Sequence, residues 1–165
     1  MLVAVYLIAI VAANLLVARF GPAVVVLNAF LFIGLDITTR DALHDRWHGR
    51  YLWPKMAALI GAGSALSWLL NRDAGPIALA SLVAFAASGA VDAVVYALLG
   101  NRARLVRVNG SNVLSAAVDS LIFPALAFGL PLLWPIVIGQ FAAKVLGGFV
   151  WSLVLARRER ETAAA

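Results

Sequence analysis

The chain has 165 residues, of which 64% are hydrophobic, and a formal net charge of +5 at pH 7. Since soluble domains are roughly 45–50% apolar, this composition and the mean hydropathy of +0.96 predict a membrane protein. The basic residues stand between hydrophobic runs, which argues against nucleic-acid binding, and the lack of cysteine excludes disulfides and cysteine-ligated metals.

Six stretches approach the length of membrane-spanning helices, which need about 20 mostly apolar residues. They are 2–19, 22–37, 51–70, 76–99, 112–133 and 135–156. The first has no basic region before it and no clear cleavage site, so we predict a retained helix rather than a signal peptide. The second is short, and we expect it to continue helically through the polar segment that follows.

We therefore predict an all-α polytopic membrane protein. A compact bundle of six transmembrane helices would occupy residues 1–156, followed by a short polar tail, 157–165. In this topology Arg19 and Arg72 lie on one side, whereas nine arginines lie on the side of both termini: Arg40, Arg46, Arg50, Arg102, Arg104, Arg107, Arg157, Arg158 and Arg160. Because positive residues concentrate on the cytoplasmic side, both termini are predicted to be cytoplasmic.

Small residues recur along three of the spans. Ala57, Gly61 and Ala65 follow one another at intervals of four, 86–90 is a run of small residues, and Gly147 adjoins Gly148. Such faces let helices approach closely, so we interpret them as packing surfaces. A passage for a solute is the alternative.

Three charged residues interrupt apolar stretches: Asp92, Asp119 and Lys144. A charge in hydrocarbon costs at least roughly 2.5–3.5 kcal/mol, so such groups are buried against partners or line a polar pathway. Asp92 and Asp119 each lie about seven residues from the same side of neighbouring spans, at similar depth. We therefore predict that they meet across an antiparallel pair and form a binding cavity with Lys144.

Each of these charges has polar companions at helical spacing. The resulting candidates for substrate binding are Asp92, Asn112, Ser115, Asp119, Gln140 and Lys144. Pro124 adds a kink, because a proline inside a helix leaves the carbonyl four residues earlier, here that of Ser120, without its bond. The structural or gating candidates are Asp36, Arg40, Pro124, Ser88 and Asn28.

The predicted chemistry is recognition of a polar solute. Carboxylates accept hydrogen bonds from an amidine-like edge, as on a purine-type base, while a lysine and amides can address a carbonyl or nitrile. In the alternative interpretation, Lys144 only neutralises one aspartate in a buried structural ion pair.

Enzymatic activity has little support in the sequence. His44 and His48 have a spacing that can bind metal, but no third ligand is evident, so a solvated segment is favoured and no metal is predicted. No Ser–His–Asp set, phosphate loop or redox motif occurs. We predict neither catalysis nor a cofactor.

Three segments resemble a known family: FLFIGLDITTRDALHDRW (30–47), SNVLSAAVDSLIFPALAFG (111–129) and IGQFAAKVLGGFVWSLVL (138–155). Together they are similar to the queuosine precursor transporter family, also called the vitamin uptake transporter family, with its patterns D-[IL]-T-x-R, S-N-x-x-S-x-x-x-D-[ST]-x-I-F and [FA]-K-V. The residues at matching motif positions are Asp36, Arg40, Asn112, Ser115, Asp119 and Lys144. Asp92 matches none of these motif positions, so its assignment to the site depends only on its depth and helical spacing.

The resemblance implies import of 7-cyano- and 7-aminomethyl-7-deazaguanine across the bacterial inner membrane. The partners it implies are the 7-deazapurine solute and the lipid bilayer, while homo-oligomerisation is left open. The chain is short for this family and its first loop is nearly absent. Two alternatives therefore stand beside a transporter: a substrate-binding membrane subunit of a larger vitamin importer, and a structural membrane protein with a buried ion pair.

Overall fold

The structure, a computed structural model, describes residues 1–47, 51–100, 102 and 104–164. These residues are helical apart from short turns and include no strand, which confirms the predicted all-α class. The α-helices are α1 (Leu2–Phe20), α2 (Val25–Asn28), α3 (Gly34–Trp47), α4 (Leu52–Leu70), α5 (Gly75–Leu98), α6 (Arg104–Phe128) and α7 (Trp134–Ala164).

Shorter helical segments join some of these helices. A 3-10 turn, Gly21–Val24, leads into α2, and Arg72–Ala74 precedes α5. A π-helical segment, Ala29–Ile33, connects α2 to α3 without a break. The helix therefore continues through the polar segment as predicted, up to Trp47.

Hydropathy predicted some helix ends better than others. α1, α4 and α5 lie within one residue of the predicted spans at each end. α6 begins at Arg104 rather than at residue 112, because its first turns are helical but polar. It ends at Phe128, before Gly129, whose φ of 81° suits the glycine that commonly terminates a helix. α7 continues through most of the predicted tail.

Four stretches of the described chain are long and apolar enough to cross a membrane. They are Leu2–Asp36, Arg72–Leu98, Gly110–Phe128 and Trp134–Trp151. The surface agrees with this, since large apolar side chains such as Leu130, Ile138 and Leu146 are exposed while Lys144 is buried. The chain is thus a helical membrane protein, and its six-span count and orientation stay predictions.

The helices pack as a ring. Interfaces join α4 to α5, α5 to α6, α6 to α7, and α7 to the π-helical segment and α3, while α1 closes the ring on α3 and α4. The end that holds the α3–α4 and α5–α6 connections exposes Arg46 and Arg102, and we call it the basic end. Tyr6 of α1 shares an apolar cluster with Met56 of α4 near this end.

Polar residues form a layer between two apolar clusters. One cluster includes Val17, Val25 and Ile77, and the other, nearer the basic end, includes Tyr6 and Leu43. Between them lies what we call the polar layer, which consists of Asn14, Asn28, Ser67, Ser81, Asp119, Ser120, Gln140 and Lys144. Other buried polar residues, among them Asp36, Thr39 and Arg40, lie outside this layer.

Glycines allow α7 to contact the π-helical segment and the first residue of α3. A Cβ on Gly147 would overlap the Phe30 carbonyl oxygen, and one on Gly34 would lie 2.7 Å from the Gly147 carbonyl carbon. The packing interpretation holds at Gly147. At Gly61, Gly89 and Gly148 an added Cβ would meet nothing within 4 Å, so no neighbouring helix of the described chain packs closely on these three glycines.

Some residues used in the sequence predictions cannot be compared with the structure. Arg50 and His48 lie outside the described residues. The side chains of His44, Arg104, Arg107, Arg157, Arg158 and Arg160 lie outside them as well. Among the residues that are described, no group of three or more His, Cys, Asp or Glu side chains could hold a metal ion.

The Gly147 contact gives a stability prediction. Gly147→Ala forces helix backbones apart and should destabilise the protein by about 1–3 kcal/mol, the usual cost of overpacking. Gly148→Ala is the matched control, because its added Cβ would meet nothing within 4 Å. Thermal unfolding of both variants in detergent should show a lower Tm for Gly147→Ala only. Equal Tm values would contradict the close approach.

Candidate functional site

The ammonium group of Lys144 is the centre of the polar layer. Lys144 Nζ donates to Oδ2 of Asp119, to Oε1 of Gln140 at 2.9 Å and to Oγ of Ser120 at 3.1 Å. These three acceptors match the three donors of an ammonium group. The buried ion pair and the Gln140 contact agree with the sequence-based pairing of these residues.

Local helix geometry accounts for this arrangement. Gln140 and Lys144 stand four residues apart on α7, so their side chains stack on one face. Asp119 and Ser120 precede the buried Pro124 of α6, whose ring removes the hydrogen bond that the Ser120 carbonyl would accept. The Gly147 contact, less than one turn beyond Lys144, fixes α7 beside the π-helical segment.

Removing only one member of the ion pair would destabilise the protein. Burying two charges is offset by their attraction only when hydrogen bonds satisfy the remaining donors, as they do at Lys144. Removing Asp119 alone would leave an uncompensated buried charge, a change that typically costs about 3–5 kcal/mol. This holds whether the pair serves structure or solute binding.

Two buried polar atoms beside the pair have no hydrogen-bond partner in the described part of the chain. They are Oδ1 of Asp119, an acceptor, and Nε2 of Gln140, a donor. Buried polar groups are nearly always hydrogen-bonded, so such exceptions call for an explanation. An adjacent acceptor and donor can together bind a group that offers both an N–H and a carbonyl.

Asp119, Gln140 and Lys144 line a cavity of about 30 Å³, which we call the chamber. This is about the share of liquid volume that one water molecule occupies. Asn14, Asn28, Ser81 and Phe85 also line it, along with apolar residues of α1, α2 and α6: Ala13, Val17, Val25 and Phe123. The chamber thus has polar side chains on a largely apolar wall and, in this conformation, is too small for an organic solute.

Hydrogen bonds hold the wall of the chamber opposite Lys144. Asn14 Nδ2 donates to Ser67 Oγ at 3.1 Å, and Ser81 Oγ donates to Asn14 Oδ1 at 2.6 Å, which ties α1 to α4 and α5. Asn28 Nδ2 donates to the Ala13 carbonyl at 3.0 Å. The gating candidate Asn28 therefore lies at the chamber.

A second, smaller cavity of about 10 Å³, which we call the gap, adjoins Asp119 on the side of the basic end. It brings together several candidates that the sequence identified, namely Asp36, Arg40, Ser88, Ser115 and Asp119, and it also touches Phe85. Ser115 Oγ donates to the Asn112 carbonyl at 3.2 Å, and Ser88 Oγ to the Phe85 carbonyl at 3.2 Å. Asn112 lines neither cavity.

Asp92 lines neither the chamber nor the gap, both of which Asp119 lines. α5 and α6 do form the most extensive helix pair, yet Asp92 lines a separate cavity of about 320 Å³ between α4 and α5, which we call the cleft. Arg40 borders both the cleft and the gap. Helical spacing placed Asp92 on the same side of α5 as Ser88, but it did not show that a cavity lies between α4 and α5 there.

Sequence reasoning missed three residues of the site. Ser120 binds Lys144 directly, Ser81 supports the chamber wall, and Phe85 lines all three cavities. A signal was present for two of them, because Ser81, Phe85, Ser88 and Asp92 follow one another at intervals of four, three and four residues. This spacing places them along one side of α5.

Comparison with known proteins identifies a family for the chain. A sequence model of the family described as "Putative vitamin uptake transporter" matches residues 3–156, which include the residues of the chamber, the gap and the cleft. No curated protein and no solved structure matches the chain. The resemblance predicted from the three motif segments is confirmed. The chain belongs to the vitamin uptake transporter family, a family of membrane transporters for small molecules.

Proposed function

We propose that the protein imports 7-deazaguanine precursors of queuosine, 7-cyano- and 7-aminomethyl-7-deazaguanine, across the bacterial inner membrane. The observation that carries the proposal is the buried acceptor–donor pair of Asp119 Oδ1 and Gln140 Nε2 beside Lys144. Membership of a transporter family and the three motif segments support it.

The chemistry of the solute complements these atoms. A deazaguanine has an amidine-like edge of N–H donors next to a ring carbonyl. Asp119 Oδ1 accepts hydrogen bonds from that edge, and Gln140 Nε2 donates to the carbonyl. Because these atoms are buried, a solute that lacks either group leaves one of them unpaired, which gives selectivity.

Binding requires a change of conformation. The chamber, at about 30 Å³, must widen to admit a fused two-ring solute. The solute binds Asp119 Oδ1, whereas Lys144 holds Oδ2, so the ion pair stays formed and no buried charge is left unpaired. We infer that the present conformation is occluded and that solute binding widens the chamber.

One surface of the protein supports the alternative function, that of a membrane subunit in a larger importer. Ala57 and Ala65 on α4 are exposed, and Gly61 between them has open space beside it, which makes a flat face on which another helix can pack. Expression of the chain by itself distinguishes the two functions, since a subunit alone would bind the solute without importing it.

The test is uptake of labelled 7-cyano-7-deazaguanine by cells that lack their own transporter. Expression of this chain alone should restore uptake, and Asp119→Asn should lower it about tenfold or more, because a hydrogen bond to a charged group contributes about 1.5–3 kcal/mol. Uptake is normalised to the amount of protein in the membrane.

Asp73→Asn is the matched control, since Asp73 is an exposed acid in the turn before α5, away from all three cavities. Its uptake should equal that of the unaltered chain. Normal uptake by Asp119→Asn would remove Asp119 from the site. Absence of uptake by the unaltered chain, with solute still bound, would favour the subunit.

We also propose that the basic end faces the cytoplasm, together with both termini. The chain has no cysteine, so single cysteines can report the topology. Asp73→Cys and Arg102→Cys replace exposed residues at opposite ends of α5. In spheroplasts an impermeant maleimide should label Asp73→Cys directly and Arg102→Cys only after lysis. The reverse pattern would invert the orientation.

A further inference from the structure

The three cavities follow one another through the bundle. The cleft shares Arg40 with the gap, and the gap shares Asp119 and Ile33 with the chamber. Phe85 borders all three, and its ring is buried beside Tyr6 and Ile10. The three cavities thus mark a route from the cleft near the basic end to Lys144, with Phe85 on the wall of each cavity.

Only one cavity along this route has room for a small organic molecule. The cleft has a volume of about 320 Å³. This lies at the lower end of the roughly 300–1,000 Å³ that small-molecule sites occupy. The chamber and the gap hold about 30 and 10 Å³. In this conformation, a solute that has left Lys144 fits in the cleft.

The cleft also has the chemistry to hold a flat, polar solute. Asp92 Oδ1 is buried and has no hydrogen-bond partner among the described residues, and the Arg40 side chain is a second charged group on the wall. The remaining wall is apolar: small residues such as Ala57, Ala86 and Gly89 line part of it, and Met56, Ile60, Leu82 and Phe85 line the rest. A planar ring can lie against these small residues while its edge meets the carboxylate.

We propose that the cleft is a second solute site on the cytoplasmic side of the transporter, in which Asp92 binds the amidine-like edge and Phe85 separates the solute from the chamber. The proposal rests on the proposed function, since it takes the same solute. It gives a role to Asp92, which does not line the chamber that contains Lys144. A lipid chain in the cleft is the competing occupant, but it would leave Asp92 Oδ1 unpaired.

Cysteine protection tests this site directly. Gly89→Cys places a thiol in the cleft, and Gly61→Cys is the matched control, since both glycines have open space around an added Cβ but Gly61 lines none of the three cavities. Alkylation of each variant by N-ethylmaleimide is followed in purified full-length protein. With 7-cyano-7-deazaguanine at about ten times its Kd for the cleft, the alkylation of Gly89→Cys should slow about tenfold. Alkylation of Gly61→Cys should not change.

Adding Asp92→Asn to Gly89→Cys should abolish the protection. Adding Asp119→Asn together with Lys144→Gln, which leaves no unpaired charge, should preserve it, because the cleft binds the solute separately from the chamber. Equal alkylation of Gly89→Cys with and without solute would overturn the proposal. So would protection that persists with Asp92→Asn and disappears with the combined Asp119→Asn and Lys144→Gln changes, because the protection would then arise from the chamber.

Uptake by the unaltered chain separates this result from a failure of the proposed function. If the chain imports the solute but the cleft cysteine is unprotected, the second site is wrong and the transporter stands. If Asp92→Asn does not accumulate, Gly89→Leu and Gly61→Leu replace it. Filling the cleft with Gly89→Leu should lower uptake several-fold relative to Gly61→Leu, and equal uptake would count against the site.

Discussion

The buried ion pair between Lys144 and Asp119 is the interaction on which the rest of the interior depends. A lysine at mid-bundle is tolerated only because a carboxylate, an amide oxygen and a hydroxyl take its three donors. That requirement brings α6 and α7 into register. It also leaves Asp119 Oδ1 and Gln140 Nε2 beside the chamber without a partner among the described residues, which a purely structural pair does not need.

Backbone features bring these side chains together. Gly147 and Gly34 let α7 touch the segment around the π-helical turn, and that segment in turn supplies Asn28 to the chamber. On the other side, α4 and α5 are held together through Asn14 at mid-bundle, and the cleft lies between them towards the basic end. One half of the bundle is closed by glycine contacts, and the other half opens into the cleft.

Much of this could be predicted from the sequence, for identifiable reasons. Hydropathy located α1, α4 and α5 to within one residue, and helical spacing paired Gln140 with Lys144. Hydropathy misplaced the start of α6, because hydropathy detects apolar residues and the first turns of this helix are polar. Helical periodicity placed Asp92 on a face of α5, but it could not show that the cleft lies between that face and α4. Small residues permit both close packing and open space, so Gly147 and Gly89 looked alike in sequence yet differ in structure.

The central claim is that the Lys144–Asp119 pair binds solute as well as holding the bundle together. The most direct test is the double variant Asp119→Asn with Lys144→Gln, which removes both charges and so avoids an unpaired one. The account predicts that it accumulates in the membrane with a Tm near that of the unaltered protein but imports no 7-cyano-7-deazaguanine. Recovery of uptake in the double variant, after loss in Asp119→Asn alone, would show that the pair is structural and contradict the account.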